Sequence, residues 1–174
     1  MKNKSYRHSI KHTLRSLFAR EGLWAAILML FLSACDSINC PLNSKVAAIY
    51  SFYDSNGKAF TIGDTLTVTA VGTNQVLVNK LVNQSKISLP VSYYAPCDTL
   101  VLRISDTDGL SATDTIWMEK VSTPHADDPS CPIHIWHKVT DIRYTDNIID
   151  TIAIVNPDIN YNGWENFHIH FITE

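Results

Sequence analysis

Residues 98–119 have the sequence DTLVLRISDTDGLSATDTIWME, in which two alternating segments flank a turn. In residues 99–105 and 113–119, apolar side chains recur at every second position, which is the period of a β-strand with one buried face. The cluster Asp106-Thr107-Asp108-Gly109 between them is typical of a turn, because Asp bonds to its own backbone and Gly permits a left-handed conformation. The stretch therefore predicts two strands joined as a hairpin.

The same alternation continues on both sides of this hairpin, with almost no helical periodicity after residue 44. It predicts strands at 46–53, 65–71, 75–82, 86–91, 99–105, 113–119, 133–144, 151–156 and 166–172. We expect an all-β fold, a single antiparallel β-sandwich of about eight or nine short strands, immunoglobulin-like or similar. The longest polar, proline-bearing connection is 124–132, and we expect it to cross from one sheet to the other.

An Asp, a Thr and an aliphatic residue open four of these strands, at residues 64, 98, 114 and 150. In one interpretation, Asp ends a turn and the β-branched and aliphatic residues begin a half-buried strand. This predicts inward-facing side chains at Leu66, Val68, Leu100, Leu102, Ile116, Met118, Ile152 and Ile154. In the second interpretation, the pattern resembles the acceptor for O-glycosylation of exported Bacteroidota proteins, with candidate sites at Ser37, Thr65, Thr99, Thr115 and Thr151.

The N-terminal segment has the parts of a secretory signal, with six basic residues and one acidic residue before an apolar run at 23–32. This run is about half the roughly 20 residues that a membrane-spanning helix needs, so we expect it to be removed. It ends in Leu32-Ser33-Ala34-Cys35, which has the form of a bacterial lipoprotein signal. We expect signal peptidase to recognise Leu32, Ser33 and Ala34, and Cys35 to carry diacylglyceryl and palmitate chains as a membrane anchor.

These features divide the chain into a signal peptide (1–34), a lipidated tether (35–44) and a β-sandwich domain (45–174). Because the leader holds six of the 14 basic residues and one of the 17 acidic residues, the rest keeps eight basic and 16 acidic residues. An acidic domain of this kind argues against nucleic-acid binding, which needs a positive patch. The expected membrane contact is therefore through the lipid anchor.

With Cys35 assigned to lipid, three cysteines remain for an oxidising compartment, so one disulfide and one free thiol are expected. Three pairings are possible. We favour Cys40 with Cys131, because each precedes a proline in a similar local context. The role of Cys97 stays open.

Histidines and tryptophans give weaker signals. His168 and His170 lie two apart on a predicted strand, and His134 and His137 could lie on a neighbouring strand, which would permit a metal site. The simpler explanation places His168 and His170 on the polar face of a strand whose apolar residues are buried, so we predict no metal and no cofactor.

Trp117, Trp136 and Trp164 are candidates for sugar binding, although aromatics in a small sandwich more often belong to the core.

No nucleophile with a base, paired catalytic carboxylates or phosphate-binding glycine motif stands out, and we predict a protein that is not an enzyme. The segments Cys40-Pro41-Leu42-Asn43 and Glu165-Asn166-Phe167-His168-Ile169-His170-Phe171 resemble a family of uncharacterised Bacteroidota lipoproteins that carry a domain of unknown function. The resemblance implies lipoprotein status and a β-rich domain, and its recurrent cysteine pair matches Cys40 and Cys131. It transfers no catalytic residue.

We therefore expect a lipid-anchored envelope protein that interacts with a protein partner or has a structural role. The alternatives are a glycan-binding module at the outer membrane and a metal-binding protein that uses His168 and His170. The residues after Cys35 lack an acid-rich run that resembles a surface-export signal, so the expected orientation is the periplasmic face of the outer membrane, with surface exposure as the alternative. The sequence predicts no particular small-molecule ligand.

Overall fold

Ten β-strands make up the fold in the computed structural model, which describes residues 40–42 and 45–173. In chain order they are β1 (Ala47–Tyr53), β2 (Thr65–Ala70), β3 (Gln75–Leu81), β4 (Lys86–Pro90), β5 (Cys97–Ser105), β6 (Ser111–His125), β7 (His134–Tyr144), β8 (Ile149–Ile154), β9 (Asp158–Ile159) and β10 (Phe167–Phe171). They belong to one compact unit, Cys40–Glu174. None of the described residues forms a helix long and apolar enough to cross a membrane. The predicted signal peptide, Cys35 and Ser37 lie outside the described residues.

The strands form a four-stranded sheet, β4-β1-β10-β8, and a six-stranded sheet, β3-β2-β5-β6-β7-β9. Apolar side chains from both sheets share one core cluster, so the fold is a β-sandwich and the all-β prediction is confirmed. It has ten strands because Asp158–Ile159 adds a short strand beside β7. One pair departs from the expected antiparallel pattern, since β1 and β10 run parallel, with Tyr50 opposite Phe167.

Strand β6 is much longer than the sequence predicted, and it corrects the prediction for 124–132. The strand runs to His125 and pairs with β7 in the same sheet, with Pro124 opposite Ile135. The connection therefore closes a hairpin and does not cross between the sheets. Strand β5 ends its pairing with β6 at Glu119, so the last part of β6 has β7 on one side only. A proline is tolerated there because its missing N–H is not needed by a second neighbour.

The predicted inward-facing residues form the core with one exception. Leu66, Val68, Leu100, Leu102, Ile116, Met118 and Ile152 are buried in the core cluster. Ile154, which was also predicted to face inward, is 38% exposed. It is the last residue of β8, an edge strand, so it has fewer neighbours to cover it.

The predicted disulfide is present and links Cys40 to Cys131. The two Cα atoms are 5.5 Å apart, which is an ordinary separation for a bridge, and the bridge spans 91 residues of sequence. Cys131 lies in the β6–β7 connection, so the bridge joins the segment before β1 to that connection. Among the described cysteines, Cys97 is free.

Candidate functional site

A cavity of about 620 Å³ is lined by residues of both sheets in the described part of the chain. We call it the Cys97 cavity. Strand β1 lines it with Ala48 and Tyr50, and β5 and β6 line it with Leu100 and Met118. Its volume is in the range of small-molecule sites. The alternating pattern of the strands directs these side chains inward, and the small side chain of Ala48 leaves space that a larger residue would fill.

The hydroxyl of Tyr50 has a poor partner inside this site. The side chain is 1% exposed, and its hydroxyl donates to Met118 Sδ at 3.7 Å. A thioether sulfur is a weak acceptor. Burial and the nearby charge of Asp98 raise the pKa of Tyr50 above its ordinary value, so the phenol keeps its proton. Tyr50 therefore lies in the wall of the cavity with a hydroxyl that has only a weak acceptor.

A buried ion pair lies beside the cavity. Lys120 Nζ is 3.1 Å from Asp98 Oδ1, and the two side chains are 0% and 11% exposed. The ammonium also donates to the carbonyl of Ala95 at 2.5 Å, and the second oxygen of Asp98 accepts from the backbone N–H of Ser92 at 3.1 Å. Both charges have partners in the interior, which they need because an unpaired buried charge is strongly destabilising.

Next to this ion pair lies a buried histidine on β7. His137 Nδ1 and Ser122 Oγ are 2.8 Å apart, while His137 Nε2 has no hydrogen-bond partner in the described part of the chain. Burial and, to a lesser extent, the positive charge of Lys120 lower the pKa of His137, Asp98 opposes the shift, and the net result is a pKa of about 4. The imidazole is therefore neutral at pH 7.

Cys97 lines the cavity as a half-buried thiol. Its sulfur contacts the backbone carbonyl of Asp98 at 3.9 Å, and no described side chain places a base within hydrogen-bonding distance of it. A cysteine nucleophile needs an adjacent base or a nearby positive charge that lowers its pKa. The arrangement therefore suits binding better than covalent chemistry.

A second cavity, of about 410 Å³, is lined mainly by apolar side chains that include Phe60, Ile104, Leu110 and Phe171. We call it the Phe60 cavity. It shares no lining residue with the Cys97 cavity. Neither Asp98 nor Lys120 lines it, so a substitution in the Phe60 cavity is a matched control for one in the Cys97 cavity.

The four histidines considered for metal binding are not brought together. His168 and His170 lie on β10 in the four-stranded sheet, whereas His134 and His137 lie on β7 in the six-stranded sheet, so the expectation of neighbouring strands is wrong. Among residues 40–42 and 45–173, no group of three potential ligands could hold a metal ion. Tyr53 packs against both histidines of β10, with ring centroids 4.4 Å and 5.4 Å apart.

The three tryptophans do not form one surface. Trp117 and Trp136 pair with Arg143 and Thr123, so the register separates them by six residues of β6, or about 20 Å. One face of Trp136 is covered by His125, whose ring is stacked on it at 3.5 Å. Trp164 is 68% exposed in the segment before β10. Sugar binding at these residues stays a prediction.

The four predicted acceptor threonines differ in exposure. Thr151 is exposed on the edge strand β8, while Thr65, Thr99 and Thr115 are half-buried. Glycosylation of these residues stays a prediction.

The aspartates that precede them differ more than the repeated motif suggested. Asp114 does not end a turn. It lies inside β6, is 1% exposed, and accepts hydrogen bonds from the hydroxyl of Thr145 and the backbone N–H groups of residues 147–149.

Sequence reasoning missed Tyr50 and Lys120 as parts of a site, and it considered His137 only as a possible metal ligand. A usable signal was present for Lys120, because it follows Ile116 and Met118 at two-residue spacing and so lies in the inward phase of β6. Asp98 has the same relation to Leu100 and Leu102. A charged residue in the inward phase of a strand is a marker for a buried pair.

The fold and the site define a class: a two-sheet β-domain with an interior cavity and a buried ion pair at its wall. Within that class, the chain belongs to the family of unknown function DUF6452, which it matches over residues 65–171. The expected domain of unknown function is thereby confirmed. No curated protein and no solved structure matches the chain.

Proposed function

We propose that the protein is a lipid-anchored lipoprotein of the bacterial envelope whose β-sandwich is a non-enzymatic binding module. The observation that carries this proposal is the disulfide between Cys40 and Cys131, which begins five residues after the predicted lipid-bearing cysteine. Structural disulfides form and persist in oxidising compartments outside the cytosol. Together with Leu32-Ser33-Ala34-Cys35, the bridge favours export followed by anchoring.

The resemblance to Bacteroidota lipoproteins supports the same assignment and suggests the outer membrane as the site of anchoring. The tether from Cys35 to the bridge at Cys40 is short, so the domain works close to the bilayer. The acidic composition of the domain agrees with contact through the lipid alone, because anionic headgroups repel it. We favour the periplasmic face, and protease treatment of intact cells tests this: rapid loss of the protein would place it on the outside.

Binding is favoured over catalysis by the chemistry of the Cys97 cavity. Its titratable side chains are a phenol that keeps its proton, a thiol without a base and a carboxylate that is paired with Lys120. None of these is arranged as an activated nucleophile or as an acid and base pair. A partner protein or a small molecule held by this module is the proposed role.

Lipid attachment is tested by growing a bacterial host that expresses the full chain with radiolabelled palmitate. We expect label on the wild type and on Cys97→Ser, a matched cysteine variant, and loss of label in Cys35→Ser together with release from the membrane fraction. Label that persists in Cys35→Ser, or a wild type that carries none, would contradict the proposal.

A further inference from the structure

The Cys97 cavity combines apolar walls with one under-used donor, which narrows the chemistry of its ligand. Tyr50 is buried, and within the described residues its hydroxyl makes one hydrogen bond, to the thioether of Met118. An oxygen acceptor would make a stronger hydrogen bond than sulfur does. The phenol keeps its proton and so remains a donor, because burial and the charge of Asp98 raise the pKa of Tyr50.

The charges near the cavity disfavour a charged ligand. Asp98 lines it, and its two oxygens already accept from Lys120 and from the N–H of Ser92. A cation would compete with Lys120 for this carboxylate, and an anion would be repelled by it. Either ion would also lose its hydration on entry, which is strongly unfavourable unless a new partner compensates.

One exposed apolar side chain lines the cavity, and two exposed tyrosines lie between lining residues in the sequence. The β4–β5 connection lines the cavity with Ser92 and Ala95, and between them it carries Tyr93 and Tyr94, which are 60% and 95% exposed. Val71 also lines the cavity and is 44% exposed. Exposed apolar groups at the border of an apolar site are typical of a ligand-binding surface.

We propose that the Cys97 cavity binds a neutral, lipid-like molecule, an apolar chain that ends in a hydroxyl or carbonyl oxygen, with this oxygen accepting a hydrogen bond from Tyr50. The chain contacts Ala48, Leu100 and Met118, and it enters past Val71 and the β4–β5 connection, which line the cavity. The inference deepens the proposed binding function and rests on it, since it assigns the ligand class of the same module.

Cys97 provides a native reporter for this proposal. In the full chain with Cys35→Ser, and with Cys40 and Cys131 bridged, it is the one cysteine left to react. Alkylation by N-ethylmaleimide is followed by mass spectrometry in the presence of 1-octanol, octanoate or octylammonium, which share a chain length and differ in charge. We expect saturable protection by 1-octanol at concentrations at least tenfold lower than for either ion.

Two variants locate the bound molecule. Tyr50→Phe keeps the ring and removes the hydroxyl, and it should weaken protection by 1-octanol roughly three- to tenfold, the effect of one lost hydrogen bond. Ala70→Trp adds bulk to the Cys97 cavity and should abolish protection, whereas Ala112→Trp adds the same bulk to the Phe60 cavity and should leave it unchanged. If circular dichroism shows that Ala70→Trp does not fold, the effect of Tyr50→Phe on protection still tests the proposal.

The proposal is overturned if 1-octanol does not slow alkylation, if either ion protects equally well, or if Tyr50→Phe protects like the wild type. These results are independent of palmitate incorporation at Cys35. If the protein incorporates palmitate but 1-octanol does not protect Cys97, the ligand class is wrong and the lipid anchor stands. If 1-octanol protects Cys97 but no palmitate is incorporated, the ligand class stands and the lipid anchor is wrong.

Discussion

Strand β6 carries two buried charges at opposite ends of its inner face, and the molecule compensates them differently. The carboxylate of Asp114 accepts a hydrogen bond from the hydroxyl of Thr145 at 2.5 Å and from the backbone N–H groups of Ile148 and Ile149 at 2.8 Å. The ammonium of Lys120 faces a single carboxylate, Asp98, and one carbonyl. The first charge is held by backbone dipoles and the second by a counter-charge.

This difference separates a structural role from a functional one. Asp114 fixes the β7–β8 connection, because its partners are consecutive backbone groups that no neighbouring strand satisfies. Lys120 and Asp98 instead form an ion pair with no net charge at the wall of a cavity. Both charges also shift the pKa of His137, in opposite directions. We therefore expect changes at Asp114 to act on folding, and changes around Lys120 to act on folding, pH response and the cavity together.

The largest effect is expected for Asp114→Ala. The change leaves several buried N–H groups without an acceptor, and we expect a loss of about 5 kcal/mol in the free energy of unfolding. Urea denaturation measures it. Asp150→Ala, at an exposed aspartate with the same Thr-Ile sequence after it, is the matched control and should change the free energy by less than about 0.5 kcal/mol. Equal effects in the two variants would contradict the structural role of Asp114.

The pH dependence of this site has a defined sign. Burial raises the pKa of Asp114, but the hydrogen bonds from Thr145 and residues 147–149 outweigh burial and hold the pKa below its ordinary value. The stabilisation is therefore present above the pKa of the unfolded chain, about 3.9, and is lost as the pH falls through the lower pKa of the folded state. Between pH 4 and pH 2, Asp114→Asn should lose less stability than the wild type does. Thermal denaturation at a series of pH values measures this difference.

A smaller effect is expected when the ion pair is broken. Lys120→Met leaves Asp98 without its counter-charge, and we expect a loss of about 3 to 4 kcal/mol. In the double variant Lys120→Met with Asp98→Leu, no buried charge remains, and the free energy of unfolding should return to within about 1 kcal/mol of the wild type. A double variant as unstable as the sum of the single variants would contradict the pairing.

His137 should produce a smaller effect, confined to mildly acidic pH. Its pKa falls from an ordinary 6.5 to about 4 on folding, because burial and Lys120 disfavour the charged ring. The unfolded chain therefore binds the extra proton first, and the wild type should lose about 2 to 3 kcal/mol as the pH falls from 6.5 to 4. His137→Leu should remove most of this slope, whereas Ser122→Ala, which deletes a hydrogen bond and keeps the ring, should retain it.

The smallest effect is expected for Thr145→Val. It removes one hydroxyl that donates to Asp114 and accepts from the N–H of Thr115, while the backbone N–H groups of 148 and 149 still hold the carboxylate. We expect a loss of about 1 to 2 kcal/mol in urea denaturation. A loss as large as that of Asp114→Ala would mean that the Thr145 hydroxyl, and not the backbone N–H groups, provides most of the stabilisation of the Asp114 carboxylate.

Much of this fold could be predicted from alternation alone, because each strand shows its buried face locally. Residues 99–105 and 113–119 formed the expected hairpin, and the Cys40–Cys131 bridge was foreseen from the shared Cys-Pro context. The sheet to which a strand belongs was not predictable in the same way. The segment 124–132 has the composition of a loop, and only the pairing of Pro124 and His125 with β7 shows that it connects two strands of one sheet.

The site was harder still to predict. Asp64, Asp98, Asp114 and Asp150 share one local motif, yet Asp114 is fully buried and Asp150 is exposed. Lys120 meets Asp98 because the β5–β6 register places Asp98 opposite Met118, and Lys120 lies two residues after Met118. Such partners are defined by pairing between strands, which no single segment encodes.

The bridge between Cys40 and Cys131 also gives the domain a defined path for mechanical load. Tension applied to the residues before Cys40 enters the sandwich at two points, along the chain towards β1 and through the sulfur–sulfur bond into the β6–β7 connection. The hydrogen bonds that hold β1 between β4 and β10 then share the pull with the longest hairpin of the other sheet. Reduction of the bridge would put the whole load on β1, and single-molecule pulling from the N-terminus should then open the domain at lower force.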